Sequence, residues 1–415
     1  MSINYGDCAF MLLCTALVFL MTPALAFFYG GMVRRKNSLN TMLSCFFICG
    51  LAAIMWVAFG YSLSFGKDHA GIIGGLDHIF LGGIGYEING AYAATIPELL
   101  FAAYQMMFAI ITPALICGAL AERMRFSVLV AFIALWSLFV YYPLAHMVWG
   151  DGGFIKAIGA VDFAGGNVVH ISSGISGLVA CIMLGKRRGF GLMSYKPHNI
   201  PFVFLGAALL WFGWFGFNAG SALGANELAV HAFMTTNTSA AAALLSWMLI
   251  EKIKYGKPTL MGAATGAVIG LVAITPGAGF VPLWASIIIG TLVSPLCFFF
   301  ISKVKTKFAY DDALDAFGCH GIGGIWGGIA TGLFTQKSIN PTAKWDGLFF
   351  GDARLFIAQL ASIAITIAIS AVLTFAIVFA LKKLTTIRVS QTAESQGLDI
   401  SEHSESAYPA FTGLD

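Results

Sequence analysis

Residues 8–30, CAFMLLCTALVFLMTPALAFFYG, form one continuous apolar run without a charged side chain. A helix that crosses the hydrocarbon core of a bilayer needs about 20 such residues. In the whole chain 58% of the residues are apolar and only 10% are charged. An average soluble domain has roughly 45–50% apolar and about 25% charged residues. The sequence therefore predicts an integral membrane protein, with a lipid bilayer as its surroundings.

Ten further apolar runs follow, so that eleven membrane-spanning helices are predicted. Their predicted bounds are 8–30, 41–65, 97–121, 126–148, 167–185, 200–220, 230–250, 259–277, 281–302, 318–335 and 354–381. No polar block of domain size lies between them. We therefore predict an all-α polytopic fold with one membrane domain, residues 1–384, and a polar cytoplasmic tail, residues 385–415. MSINYGD, which precedes the first run, has no Lys or Arg, so no cleaved signal peptide is predicted.

The basic residues predict the orientation of the helices, because cytoplasmic loops hold an excess of Lys and Arg. When the loops are assigned alternately to two sides, only five of the 23 basic residues fall on one side: Lys67, Lys156, Lys337, Lys344 and Arg354. The other side is then cytoplasmic. For an odd number of helices this places the N-terminus outside and the C-terminus inside the cell membrane. A net charge of +3 provides no basic field that would indicate nucleic-acid binding.

Two histidines lie inside predicted spans, where an ionisable side chain is costly and usually functional. His170 follows Asp162 by eight residues, and His320 follows Asp312 by the same number. If each stretch is helical from its aspartate onward, each histidine lies about 12 Å below its helix mouth. The topology then brings both rings toward the midplane from opposite faces. This is typical of an inverted repeat of five plus five helices, with the eleventh helix in addition.

The alternative for the histidines is two unrelated buried residues, each bonded to a backbone carbonyl. The matched spacing favours a functional pair. Asp162 also has two interpretations, and we favour a helix N-cap over a direct contact with substrate. Trp149 is predicted either to anchor the chain at the membrane interface or to bind a cation through its ring face. Asp311, Asp312 and Asp315 are predicted to form a solvated ion network with Lys303, Lys305 and Lys307.

Six short motifs are spread over the predicted membrane domain. In chain order they are FFYGGMVRRKN, GALAERMRFS, AHMVWGDGG, DFAGGNVVHI, WFGFNAGSA and FGCHGIGG. Together they resemble the ammonium transporter (Amt/Mep/Rh) family, and their order and spacing make the combined match specific. The resemblance implies an ammonium-conducting homotrimer with one pore in each subunit.

The resemblance implies the following residues for substrate recruitment at an outer vestibule. Trp149 matches the family's vestibule tryptophan, and Ser221 matches the serine that helps to recruit the ammonium ion. Phe108 lies below them, and Asp162 matches the aspartate near the recruitment site. Tyr104 stands where the family often has a phenylalanine, and its hydroxyl is expected to add an acceptor for the cation.

The resemblance also implies the residues of the gate and the pore. Phe108 and Phe217 match the stacked phenylalanines that close the pore. Trp214 matches a pore-lining tryptophan. His170 and His320 match the twin histidines, whose ring nitrogens bridge in the conduction path and form a proton relay. Ammonium is then deprotonated, and ammonia crosses the apolar pore.

Two departures from the family pattern lie elsewhere. Thr265 replaces a frequent serine and keeps the hydroxyl. Asn167 replaces a frequent threonine, and its role is open. Residues 397–408, GLDISEHSESAY, resemble the family's C-terminal segment that contacts a PII-type signalling protein, so such a regulatory partner is expected.

Three other classes of function remain as alternatives. The first is an ammonium sensor, which a long appended domain would favour. The second is an electroneutral channel of the Rh type for ammonia or carbon dioxide. Trp149 and Ser221 at a cation-recruiting vestibule favour transport of ammonium over the second. An intramembrane enzyme is disfavoured, because two histidines without an HExxH pattern or a carboxylate cluster make no catalytic constellation. No cofactor and no metal site are predicted.

Overall fold

The structure is a computed structural model that describes residues 2–408. These residues are mostly helical, as predicted. The α-helices are α1 Tyr5–Met32, α2 Ser38–Met55, α3 Tyr61–Phe65, α4 Glu98–Leu120, α5 Phe126–Trp136, α6 Tyr142–Trp149, α7 Phe154–Ala157, α8 Ser172–Leu184, α9 Ile200–Ala219, α10 Glu227–Tyr255, α11 Leu260–Ile274, α12 Leu283–Phe299, α13 Lys305–Phe308, α14 Ile322–Phe334, α15 Ala353–Leu384, α16 Gln391–Gln396 and α17 Leu398–His403. A short antiparallel pair, β1 Asp68–His69 and β2 Ile73–Gly74, folds the loop after α3.

Several long helices contain a π-helical turn. These turns are Trp56–Gly60, Ser137–Tyr141, Gly166–Ile171, Phe300–Val304 and Phe317–Gly321. Three of them join α2 to α3, α5 to α6 and α12 to α13, and the other two begin α8 and α14. A π turn widens the helix by one residue and often marks a functional site. The two turns that begin α8 and α14 contain His170 and His320.

Nine helices within residues 2–408 are long and apolar enough to cross a membrane. The two remaining predicted spans correspond to the shorter α11 and to α14 with its preceding π turn. The structure therefore supports a polytopic helical membrane protein. The count of eleven spans and the inverted repeat stay predictions.

The loops that were assigned to one side of the membrane contact each other at one face of the bundle. The backbone N–H of Asn4 donates to the Thr95 carbonyl at 2.8 Å. Lys344 donates to the Ala157 carbonyl, also at 2.8 Å. We call this end of the bundle, where the chain begins, the N-terminal face. The other loops lie at the opposite end, the C-terminal face.

A buried ion network lies at the C-terminal face. Glu122 forms ion pairs with Arg34 and Arg187, at 2.9 and 3.0 Å, and Arg187 pairs with Asp311 at 2.7 Å. Asp311 and Asp312 are only 2% and 1% exposed, so the prediction of a solvated network was wrong for both. Burial raises the pKa of Glu122, but the two arginines outweigh it and leave that pKa below its usual value. The network therefore joins four loops through charged groups.

The C-terminal tail is folded against this same face. The Asp399 carboxylate accepts from the backbone N–H of Asn40 at 2.8 Å, and the Asn37 side chain accepts from the backbone N–H of Leu398 at 2.8 Å. The guanidinium of Arg35 lies 4.9 Å from the centroid of the Tyr408 ring. The tail is thus attached to the start of α2. The remainder of the predicted tail, residues 409–415, lies outside the described residues.

Candidate functional site

A cavity of about 160 Å³ opens at the N-terminal face. Its wall is mostly aromatic, with a few polar groups, and includes Phe101, Gln105, Phe108, Trp149 and Ser221. Three of the residues predicted for recruitment, Phe108, Trp149 and Ser221, therefore lie together. We call this cavity the vestibule.

Trp149 lies at the end of α6 and forms part of the vestibule wall. Its indole N–H donates to the backbone carbonyl of Asp162 at 2.9 Å. Its ring meets the Phe108 ring edge to face, with centroids 5.9 Å apart and an interplanar angle of 83°. The single polar atom of the indole is thus engaged by the protein, which fixes the orientation of the ring beside the cavity.

The Asp162 carboxylate caps the π turn that contains His170. One carboxylate oxygen accepts from the N–H groups of Gly165 and Gly166, at 2.8 and 2.6 Å, and the other accepts from that of Asn167 at 2.8 Å. This geometry agrees with the N-cap interpretation. The regular helix begins only after the cap, so the assumption of a helix from the aspartate onward was wrong. Fewer helical residues separate the aspartate from the histidine than predicted.

Tyr104 is buried behind the vestibule wall, with no exposed surface. Its hydroxyl lies 2.9 and 2.8 Å from the carbonyl oxygens of Gly216 and Phe217 and 3.3 Å from the Ser221 hydroxyl. Ser221 itself donates to the Phe217 carbonyl at 2.9 Å. The prediction that the Tyr104 hydroxyl faces a cation is therefore wrong in this geometry. Tyr104 instead fixes the end of α9 and the position of Ser221.

Two phenylalanine rings close the bottom of the vestibule. The centroids of Phe108 and Phe217 are 4.3 Å apart with an interplanar angle of 34°, and each side chain is 1% exposed. Phe108 lies on α4 and Phe217 on α9, so the two rings meet from different helices. Phe108 lines the vestibule and Phe217 lines the next cavity, so the stacked pair lies between the two.

A narrow apolar cavity lies beyond the phenylalanine pair. Its wall includes Leu25, Ile111, His170, Trp214 and His320. Its volume, measured as the space that the centre of a water molecule can occupy, is about 10 Å³. This is close to the minimum that one water molecule requires. We call this cavity the lumen. The indole N–H of Trp214 donates to the Thr275 hydroxyl at 2.9 Å, so this polar atom is also engaged by the wall.

The two predicted histidines meet in the lumen. The ring centroids of His170 and His320 are 5.4 Å apart and the rings are nearly parallel, with an interplanar angle of 16°. Among residues 2–408 there is no hydrogen-bond partner for either ring nitrogen of His170 or for Nδ1 of His320. Backbone carbonyls therefore do not satisfy these atoms, which removes the main support for two unrelated structural histidines. The rings are stacked, and no hydrogen bond bridges them in this structure.

Two glycines that the sequence analysis missed allow the histidines to approach each other. Gly174 and Gly324 each follow a histidine by four residues, which is one helical turn. A Cβ atom on Gly174 would lie 2.2 Å from the Gly321 backbone nitrogen, and one on Gly324 would lie 3.0 Å from Cβ of His170. Each glycine thus makes room for the turn that carries the other histidine. The shared spacing was the available signal.

Sequence reasoning also missed two glutamines. Gln105 lines the vestibule, and its side-chain oxygen is buried without a partner among the described residues. Its only sequence signal was a polar residue within an apolar run. Gln359, on α15, contacts the segment that carries Asp162. Asn167, whose role was open, donates to the Ser362 hydroxyl at 3.2 Å, so it also ties this segment to α15.

Comparison with known proteins places this geometry in a family. The sequence profile of the Ammonium Transporter Family matches residues 9–408. An ammonium transporter of Bacillus subtilis is 53% identical over 97% of this chain and 98% of its own length. The ammonium transporter Amt1 of Archaeoglobus fulgidus is 46% identical over 97% of this chain and 99% of its own.

Solved structures are also similar. The crystal structure of Saccharomyces cerevisiae Mep2 superposes with a TM-score of 0.87 and 33% identity, over 94% of this chain and 88% of that one. A structure described as a sensor Amt protein has a TM-score of 0.87 and 26% identity, over 96% of this chain and 98% of its own. A family profile that matches nearly the whole chain, relatives of this identity and the same fold together establish that this chain belongs to the ammonium transporter family.

Proposed function

We propose that this chain transports ammonium by binding the cation in the vestibule, removing a proton and passing ammonia through the lumen. The family is one of multi-pass membrane transporters and not of enzymes. What supports the finer mechanism is the order of the compartments. An aromatic vestibule, in which the Gln105 side-chain oxygen has no partner among residues 2–408, is followed by a closed pair of rings. Beyond these rings lies an apolar lumen with two histidines, whose buried ring nitrogens His170 Nδ1 and Nε2 and His320 Nδ1 likewise have no partner in the described part of the chain.

The vestibule suits an ammonium ion, which donates hydrogen bonds in four directions. The Ser221 hydroxyl and the unpartnered side-chain oxygen of Gln105 are available acceptors. The rings of Trp149 and Phe108 add π faces, and a desolvated cation gains about 2 kcal/mol or more from such a face. Lys156, which is positively charged, also lines this cavity. The attraction for a cation therefore comes from these neutral oxygen atoms and ring faces rather than from an acidic cluster.

The lumen selects against ions that remain charged. Burying an ion in apolar surroundings costs far more than burying a neutral molecule. Ammonium can avoid this cost by releasing a proton, whereas potassium cannot. The imidazoles of His170 and His320 offer acceptor atoms for that proton inside the wall. Ammonia and the proton thus cross by separate routes.

We further propose the arrangement in the cell membrane. The vestibule face is outside and the tail face is cytoplasmic, as the split of basic residues predicts. The protein forms a homotrimer with one pore in each subunit. A PII-type protein binds at the cytoplasmic face, where residues 397–408 and the loops around Arg35 are already in contact.

The test of this function is the current evoked by ammonium in liposomes that contain the purified protein. We expect a current with ammonium and none with potassium at the same concentration. An electroneutral gas channel would carry ammonia without current. A sensor would bind ammonium with little current or flux. Because the fold is also similar to that of the sensor Amt protein, this outcome of the experiment is informative.

A further inference from the structure

Gln359 makes an unusual contact with the backbone of one distant residue. It lies on α15 and has no exposed surface. Its side-chain oxygen accepts from the N–H of Val161 at 2.8 Å, and its side-chain nitrogen donates to the carbonyl of the same residue at 3.0 Å. The nitrogen is also 3.4 Å from the Gly328 carbonyl. The amide thus pairs with Val161 as a neighbouring β-strand would.

The paired backbone leads directly into the vestibule. Val161 precedes Asp162, whose carbonyl accepts the indole N–H of Trp149 at 2.9 Å and whose carboxylate caps the turn before His170. Residues 158–165 contain no regular helix or strand. The polar groups of such a segment need partners when they are buried. The side chain of Gln359 supplies partners to both polar groups of Val161.

We infer that Gln359 is a positioning residue, which holds the segment of Asp162 so that the Trp149 ring faces the vestibule in a fixed orientation. In this way α15, which is additional to the two predicted five-helix halves, contributes to the affinity for the cation. The inference rests on the proposed recruitment of ammonium at Trp149. It goes beyond that proposal by assigning a role to a residue that is not among the described residues lining the vestibule.

The experiment compares two substitutions of Gln359 with a control on the same helix. Gln359→Leu removes both hydrogen bonds to Val161. Gln359→Glu keeps the acceptor for the N–H but can donate to the carbonyl only when its carboxyl group is protonated. Thr366→Val changes a completely buried side chain on α15 that makes no hydrogen bond within the described residues. All proteins are purified, checked for assembly by size-exclusion chromatography and reconstituted in liposomes.

The readouts are the half-saturation concentration of the ammonium current and its maximum. We expect Gln359→Leu to raise the half-saturation concentration about threefold to tenfold, the range expected for one or two lost hydrogen bonds. The maximum current per protein should change less, because the hydrogen bonds from the turn of His170 to the Asp162 carboxylate are left in place. Thr366→Val should match the wild type. Gln359→Glu should have the half-saturation concentration of the wild type at pH 5. Toward pH 8 it should bind ammonium more weakly than the wild type, because the buried carboxyl group loses its proton.

Trp149→Leu in the same assay separates the two hypotheses. If that change leaves the half-saturation concentration unaltered, the proposed recruitment at Trp149 fails. If Trp149→Leu weakens binding while both Gln359 variants behave as the wild type, the positioning role is refuted. An equal loss in Thr366→Val would also refute it, because general packing of α15 would then explain the effect.

Discussion

Replacing Trp149 by leucine tests the vestibule most directly. The indole ring lies beside the cavity and is held by its N–H bond to the Asp162 carbonyl. Leucine fills part of the space but has neither a π face nor an N–H donor. The side chain is half-buried, so its attraction for a cation lies between about 0.5 kcal/mol at an exposed site and about 2 kcal/mol at a dry one. A value near 1.4 kcal/mol corresponds to about a tenfold weaker apparent affinity.

The assay is the ammonium dependence of current in liposomes at matched protein density. Trp149→Phe keeps a π face and loses only the hydrogen bond, so its half-saturation concentration should fall between those of the wild type and Trp149→Leu. Trp284→Leu is a matched control, because Trp284 is 44% exposed, packs against Phe334 and is not among the described residues that line the vestibule. An unchanged concentration dependence in Trp149→Leu would refute cation recruitment by the ring and would leave Trp149 as an interfacial anchor.

Four further predictions concern the lumen, the vestibule wall and the C-terminal face. His170→Ala or His320→Ala should abolish proton-coupled ammonium current, with the double change hardly worse than either one, because the pair acts as a unit; full selective current in both single variants would disprove the relay. Tyr104→Phe should lower the free energy of unfolding by about 1 kcal/mol through its lost hydrogen bonds, yet shift the half-saturation concentration less than Trp149→Leu does. Deleting residues 397–415 should leave the membrane fold intact in size-exclusion chromatography and abolish regulation by a PII-type protein, and retained inhibition would contradict this. Glu122→Gln should destabilise the protein at pH 7 by about 3–5 kcal/mol. Because the folded pKa of Glu122 is lowered, its contribution is present above about pH 4.3 and is lost as the pH falls through the folded pKa, so thermal melts of the two proteins should converge in acid.

Hydropathy and motif spacing predicted much of this protein. Apolar runs depend only on local composition, because every residue of a spanning helix must tolerate lipid, and the runs predicted most helices within a few residues. The equal spacing of Asp162 to His170 and Asp312 to His320 predicted a histidine pair, and the two rings do meet. The family followed from motifs and is confirmed by the profile and the relatives.

Other features depend on which residues meet across the bundle. Asp311 was predicted to be solvated from its lysine neighbours in sequence, but its partner is Arg187, which belongs to another loop. The Tyr104 hydroxyl was predicted to contact the cation, but it hydrogen-bonds to backbone carbonyls at the end of α9. Gln359 lies 198 positions from Val161, and no pattern along α15 distinguishes it.

The amino-acid sequence by itself determined where the apolar helices lie along the chain, that His170 and His320 fall inside apolar segments, and which family the protein belongs to. Only the tertiary structure decided which polar groups are buried, how they are paired and which of them have no partner among residues 2–408. The physical reason is that the cost of lipid exposure acts on each segment separately. A hydrogen bond inside the bundle depends on the approach of two helices, which here is set by glycines such as Gly174 and Gly324. Among residues 2–408, the packing of the helices leaves both ring nitrogens of His170 and Nδ1 of His320 without a hydrogen-bond partner.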